Sequence, residues 1–179
     1  MRHVPNALTI LRLLLVPLII WLMGHGGMGA AFWLFVTAGL TDAVDGAVAR
    51  LFDAKSKLGT WLDPLADKVL LVSIYVTLAA ENHIPLWLVV LVVLRDVLIV
   101  LYAVVYVLAG SFSGSPLFIS KINTAAQLML AALVLAHLGL GWGGPVLVES
   151  FVYVVAATTI ASGAAYLMAA SRNVPASNS

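Results

Sequence analysis

The stretch from Leu86 to Ala109, LWLVVLVVLRDVLIVLYAVVYVLA, decides the fold class. It contains two charged residues, Arg95 and Asp96, in an otherwise apolar run. About 20 such residues suffice for a helix to cross a bilayer. The run is continuous rather than alternating, so it reads as a spanning helix and not as a barrel strand. Working outward, five further apolar runs cover Ala7–Met23, Ala31–Arg50, Thr60–Ala80, Phe118–Leu138 and Val146–Ala170. The breaks between them carry turn chemistry, as in Gly24–Gly29, Glu81–Pro85 and Gly139–Pro145. No internal repeat is visible.

Composition agrees. Of 179 residues, 63% are hydrophobic and 9% charged, with mean hydropathy +1.08. Soluble domains carry about 25% charged residues. The expectation is an all-α integral membrane protein, a six-transmembrane-helix bundle forming a single domain over 1–179, with no room for a soluble domain. The first run is interrupted by Arg12 and followed by five more, so it does not read as a cleaved signal peptide. Absence of cysteine excludes disulfides, thiolate metal sites and cysteine nucleophiles. No nucleic-acid partner is expected.

The basic residues set orientation. Arg2, Arg12, Arg50, Lys55, Lys57, Lys121 and Arg172 fall at the termini and in the second and fourth connections. An even number of spans puts all of these on one side. The opposite connections hold no Lys or Arg. The positive-inside rule then makes both termini cytoplasmic. Trp21, Trp61, Trp87 and Trp142 fall near helix ends, as an aromatic belt would.

Five of the eight acidic residues lie inside the expected spans: Asp42, Asp45, Asp63, Asp67 and Asp96. Each costs about 2.5–3.5 kcal/mol at a membrane helix centre. Asp42 and Asp45 are spaced i, i+3, and Asp63 and Asp67 i, i+4, so each pair shares a helix face. The pairs flank the short basic second connection, at similar depth. If the second and third helices pack as an antiparallel hairpin, four carboxylates converge. Oxygen donors without Cys or nearby His suit a hard cation, Mg²⁺, Mn²⁺ or Ca²⁺. Two ions on such a set would clamp the oxygens of a phosphoryl displacement. Arg50, Lys55, Lys57 and Lys68 would favour a phosphate-bearing ligand. Gly46 sits inside a helix at a cost of about 1 kcal/mol relative to Ala, which close approach of a ligand would explain.

These residues fit D-x2-D-G-x2-A-R-x8-G-x3-D-x3-D at every fixed position from Asp42 to Asp67. In this the chain resembles the CDP-alcohol phosphatidyltransferases. Pro5–Arg12 is similar to the family's entry into its first helix, and Leu62–Lys68 to the version in its phosphatidylglycerophosphate and cardiolipin synthase branch. The resemblance implies six transmembrane helices, a likeness to homodimeric enzymes, two divalent cations (Mg²⁺ or Mn²⁺) and a CDP-diacylglycerol donor. It implies that Asp42, Asp45, Asp63 and Asp67 hold metal, and that Asp67 is the catalytic base. Gly46, Ala49, Arg50 and Gly59 would line the CDP site.

The acceptor is read from the second half. Arg95, Asp96, Lys121 and Asn123 are the candidate acceptor-binding residues. Phosphatidylglycerophosphate synthases usually read G-K-x-K-T-x-x-Q where this chain has Ser120-Lys121-Ile122-Asn123-Thr124-Ala125-Ala126-Gln127. Asn123 thus stands where a phosphate-seeking lysine is usual, and an amide suits a neutral hydroxyl. The resemblance therefore favours phosphatidylglycerol as acceptor, giving cardiolipin and CMP, with glycerol 3-phosphate as the alternative. A divalent-cation channel or transporter is the alternative of another class, because intramembrane carboxylates also mark ion pathways. Short loops and no obvious transit peptide point to a bacterial inner membrane, with the active site toward the cytoplasm.

Overall fold

The computed structural model describes the backbone of residues 4–51, 57–108 and 118–172, and the side chains of 13–41, 66–104 and 118–170. Among these residues the chain is all helix: α1 (Val4–Gly24), α2 (Met28–Leu51), α3 (Lys57–Ala80), α4 (Leu86–Leu108), α5 (Phe118–Leu140) and α6 (Pro145–Arg172). The boundaries follow the apolar runs closely. Continuous apolar sequence leaves backbone groups no partner but their own helix.

Among the described residues, three stretches are long and apolar enough to cross a membrane: Leu86–Val104, Phe118–Leu140 and Pro145–Ala170. Leu13–Gly24 and Met28–Thr41 are shorter apolar stretches among the described residues.

The α1–α2, α3–α4 and α5–α6 turns use left-handed residues. After α1, Gly26 has φ 77°. Gly27 N–H donates to Leu22 O (2.7 Å) and Gly26 N–H to Met23 O (3.1 Å). After α3, Asn82 has φ 61°, with His83 N–H on Leu78 O (2.8 Å) and Asn82 N–H on Ala79 O (3.0 Å). Both are Schellman closures, and Asn tolerates the left-handed region better than other side-chain-bearing residues. Pro145 opens α6, where a missing N–H costs nothing.

Packing gathers Ile19 and Met23 of α1, Ile74 and Leu78 of α3, Leu88 and Val92 of α4, and Leu130 and Val134 of α5 into one core. α5 packs on α6, α2 and α3, while α1 packs on α2 and α3 and α4 packs on α6 and α3. Among the described residues α2 and α3 do not pack directly; the side chains of 42–65, which include Asp42, Asp45 and Asp63 of the expected carboxylate hairpin, lie outside them. α1 and α5 each touch both helices instead. At the crossing of α2 and α5, a Cβ on Gly139 would fall on the backbone nitrogen and α-carbon of Gly29. Such close approach needs glycine at 139 and packs α2 tightly on α5 at this crossing.

Trp21, Trp33, Trp87 and Trp142 are exposed, and all lie toward the end carrying the α1–α2, α3–α4 and α5–α6 turns. Trp33 joins the aromatic belt there.

Candidate active site

A polar network crosses four helices. Lys68 on α3 donates to Asp96 Oδ2 on α4 at 2.6 Å. Arg95 donates from Nη1 to Asp96 Oδ1 at 2.8 Å. Neighbours on a helix point about 100° apart, but the long Arg95 side chain swings back to meet Asp96. Its Nη2 also reaches Ser120 Oγ of α5 and Ser162 Oγ of α6, both at 2.6 Å. Nε donates to Ser162 Oγ at 3.1 Å. The guanidinium is therefore fixed in a planar fork, as arginine permits and lysine does not. The Arg95 side chain is 4% exposed, that of Asp96 14%. Among the described residues, two cations face one carboxylate in this network.

One turn further along α5, Asn123 is fully buried. Its Oδ1 accepts from Thr158 and Thr159 of α6, each at 2.9 Å. A further turn brings Gln127, also fully buried, whose backbone carbonyl accepts from Tyr75 of α3 at 3.0 Å. Asn123 Nδ2 and both amide atoms of Gln127 have no protein hydrogen-bond partner. Ser120, Asn123 and Gln127 follow the spacing of one α5 face; Thr158, Thr159 and Ser162 answer from α6.

Of the sequence-derived candidates, the structure brings Arg95 and Asp96 together and buries Asn123 a turn away against α6. Lys121 is exposed. Asp67 is exposed beside Lys68. The side chains of Asp42, Asp45, Asp63, Gly46, Ala49, Arg50 and Gly59 lie outside the described residues. Among the described residues no three potential metal ligands cluster.

Ser120, Ser162, Thr158 and Thr159 were not expected as site residues. Their signal is weak, because uncharged hydroxyls in a helix usually return to their own backbone. What could have found them is the spacing: polar residues at 120, 123 and 127, and at 158, 159 and 162, each mark one face of an apolar helix.

A family model described as CDP-alcohol phosphatidyltransferase matches residues 2–176. This chain belongs to the CDP-alcohol phosphatidyltransferase family. Within it, the chain is 41% identical, over 94% of its length, to a "cardiolipin synthase (CMP-forming) / mitochondrial hydrolase fusion protein" of Schizosaccharomyces pombe, covering 31% of that protein. It is 36% identical, over 91% of its length, to the cardiolipin synthase (CMP-forming) of Homo sapiens, covering 60% of that protein. It is 29% identical, over 96% of its length, to a probable phosphatidylglycerophosphate synthase of Mycobacterium tuberculosis, covering 83% of that protein. The chain thus spans from under a third to about three fifths of the cardiolipin synthases named here. As a phosphatidyltransferase-family chain with three helices able to cross a bilayer, it is an integral membrane protein.

Proposed function

We propose that this chain transfers the phosphatidyl group of CDP-diacylglycerol to a hydroxyl of phosphatidylglycerol, giving cardiolipin and CMP. The observation that carries the reading is the family match over residues 2–176, with all eight fixed positions of the signature present between Asp42 and Asp67. The cardiolipin synthase relatives at 36–41% identity support the acceptor.

The hydroxyl oxygen of the acceptor attacks the β-phosphorus of the donor. The bond from that phosphorus to the bridging oxygen breaks, and CMP leaves with the electron pair. The hydroxyl proton goes to the carboxylate of Asp67, the general base. Asp42, Asp45, Asp63 and Asp67 form an all-oxygen donor set that fits Mg²⁺ or Mn²⁺. Two such ions, when bound, supply charge neutralisation for the diphosphate. Gly46, Ala49, Arg50 and Gly59 line the CDP pocket, with Arg50 donating to its phosphates.

The Lys68 and Arg95 cations around Asp96 suit the acceptor's phosphate, and exposed Lys121, next to Ser120 in sequence, adds a further cation on α5. Asn123, buried against Thr158 and Thr159, acts as a positioning residue that locks α5 to α6. We read the chain as six membrane spans in one domain, both termini and the carboxylates on the side of the basic loops, working as a homodimer. The family match leaves a divalent-cation pathway without support.

The test is acceptor ranking. Purified protein with CDP-diacylglycerol and Mn²⁺ should release CMP faster with phosphatidylglycerol than with glycerol 3-phosphate. The reverse ranking makes it a phosphatidylglycerophosphate synthase, as the relative matched over 83% of its length is named.

A further inference from the structure

The bundle end away from the basic loops carries a groove that phosphatidyl transfer does not use. Its volume is about 460 Å³, and it lies between the α3–α4 turn, the end of α5 and the start of α6. Polar residues Asn82, His83, His137 and Glu149 line it, above an apolar floor that includes Val134 and Val152.

Among the described residues, Glu149 is the one Asp, Glu, Lys or Arg that lines it. His137 Nδ1 lies 3.1 Å from the carbonyl oxygen of Gly143. A carbonyl only accepts, so Nδ1 carries a proton in this contact. His83 Nε2 lies 3.4 Å from Glu81 Oε2. Glu149 has no ion-pair partner among the described residues. No lysine or arginine occurs at residues 24–29, 81–85 or 139–149, which make up this end. Trp87 and Tyr153 also line the groove, their rings 6.4 Å apart and tilted by 34°. A carboxylate and two aromatic faces, with no lysine or arginine at this end, suit a cation that donates hydrogen bonds.

We propose that this groove binds the primary ammonium headgroup of a bilayer phospholipid. Glu149 accepts from the ammonium, and half-buried Leu138 and Val148 meet the apolar part of the lipid. The occupant is a lipid rather than a soluble amine because the floor is apolar and the aromatic rim sits where a membrane interface falls. A quaternary ammonium has no N–H to donate to the Glu149 carboxylate. The inference rests on the membrane-spanning reading but not on the acceptor or the chemistry. His137 lies about 21 Å along α5 from Asn123 at 1.5 Å per residue.

The experiment places the full chain in nanodiscs of phosphatidylglycerol with equal phosphatidylethanolamine and phosphatidylcholine, and reads retained lipid by native mass spectrometry. Phosphatidylethanolamine should be retained roughly tenfold over phosphatidylcholine, about what one charge-assisted hydrogen bond supplies. Glu149→Gln should erase the difference while leaving CMP release unchanged. Equal retention by the wild type, or an undiminished preference in Glu149→Gln, overturns the proposal. A wild type that retains phosphatidylethanolamine yet releases no CMP keeps the groove and removes the transfer reading instead.

Discussion

Lys68 and Asp96, on separate helices and 28 residues apart in sequence, meet at 2.6 Å. The same carboxylate takes Arg95 at 2.8 Å, so one acid stands between two cations. Lys68 directly follows Asp67 on α3. The pairing therefore ties the helix that carries the proposed base to α4, and through Arg95 to α5 and α6.

Asp96→Asn removes the one negative charge in this network. Lys68 is 37% exposed, so its share is small and screened. The loss falls on the buried Arg95 guanidinium, where breaking a pair costs about 3–5 kcal/mol. Thermal unfolding in detergent should show a clearly lowered midpoint. An unchanged midpoint would mean that the network carries no stability.

Gly139→Ala places a methyl group on the backbone of Gly29. Neither helix backbone yields cheaply, so α2 must move off α5, at about 1–3 kcal/mol. The variant should unfold at lower temperature than wild type. Gly39→Ala, which meets nothing within 4 Å, is the control; it replaces a glycine inside α2 and should unfold at or above the wild-type temperature.

Asn123→Leu deprives Thr159 of its acceptor inside the bundle. Leaving a buried hydroxyl unsatisfied costs about 1–3 kcal/mol. Stability should fall, while the ratio of rates with phosphatidylglycerol and glycerol 3-phosphate should hold, because Asn123 faces α6. A changed ratio at wild-type stability would instead put Asn123 against the acceptor.

Chelation with EDTA should abolish CMP release, and Mg²⁺ or Mn²⁺ should restore it. Thermal unfolding of the same samples checks that the chelated chain stays folded. Full activity after exhaustive chelation would remove the metal role from the four aspartates.

The helices were legible because lipid-length apolar runs from Leu86 to Leu108 or Phe118 to Leu140 admit no other structure. Their neighbours were not. The Gly24–Gly29 and Gly139–Pro145 stretches read as turns, yet Gly29 and Gly139 also form the close crossing of α2 and α5, which only three-dimensional packing reveals. In the candidate site, Arg95 and Asp96 stood out because charge inside a span is costly. Ser162 and Thr159 did not, because small hydroxyl residues blend into a membrane helix. Asn123 was noticed through the lysine it replaces, but its partners on α6 lie 35 and 36 residues away, a separation that no local pattern encodes.

The most direct test of the account compares wild type and Asp67→Ala for CMP release in phosphatidylglycerol vesicles containing CDP-diacylglycerol and Mn²⁺. Wild type should release CMP with matching formation of cardiolipin, and the variant should lose at least about 10²-fold, the scale of a general base. CMP release by Asp67→Ala at the wild-type rate would contradict the account.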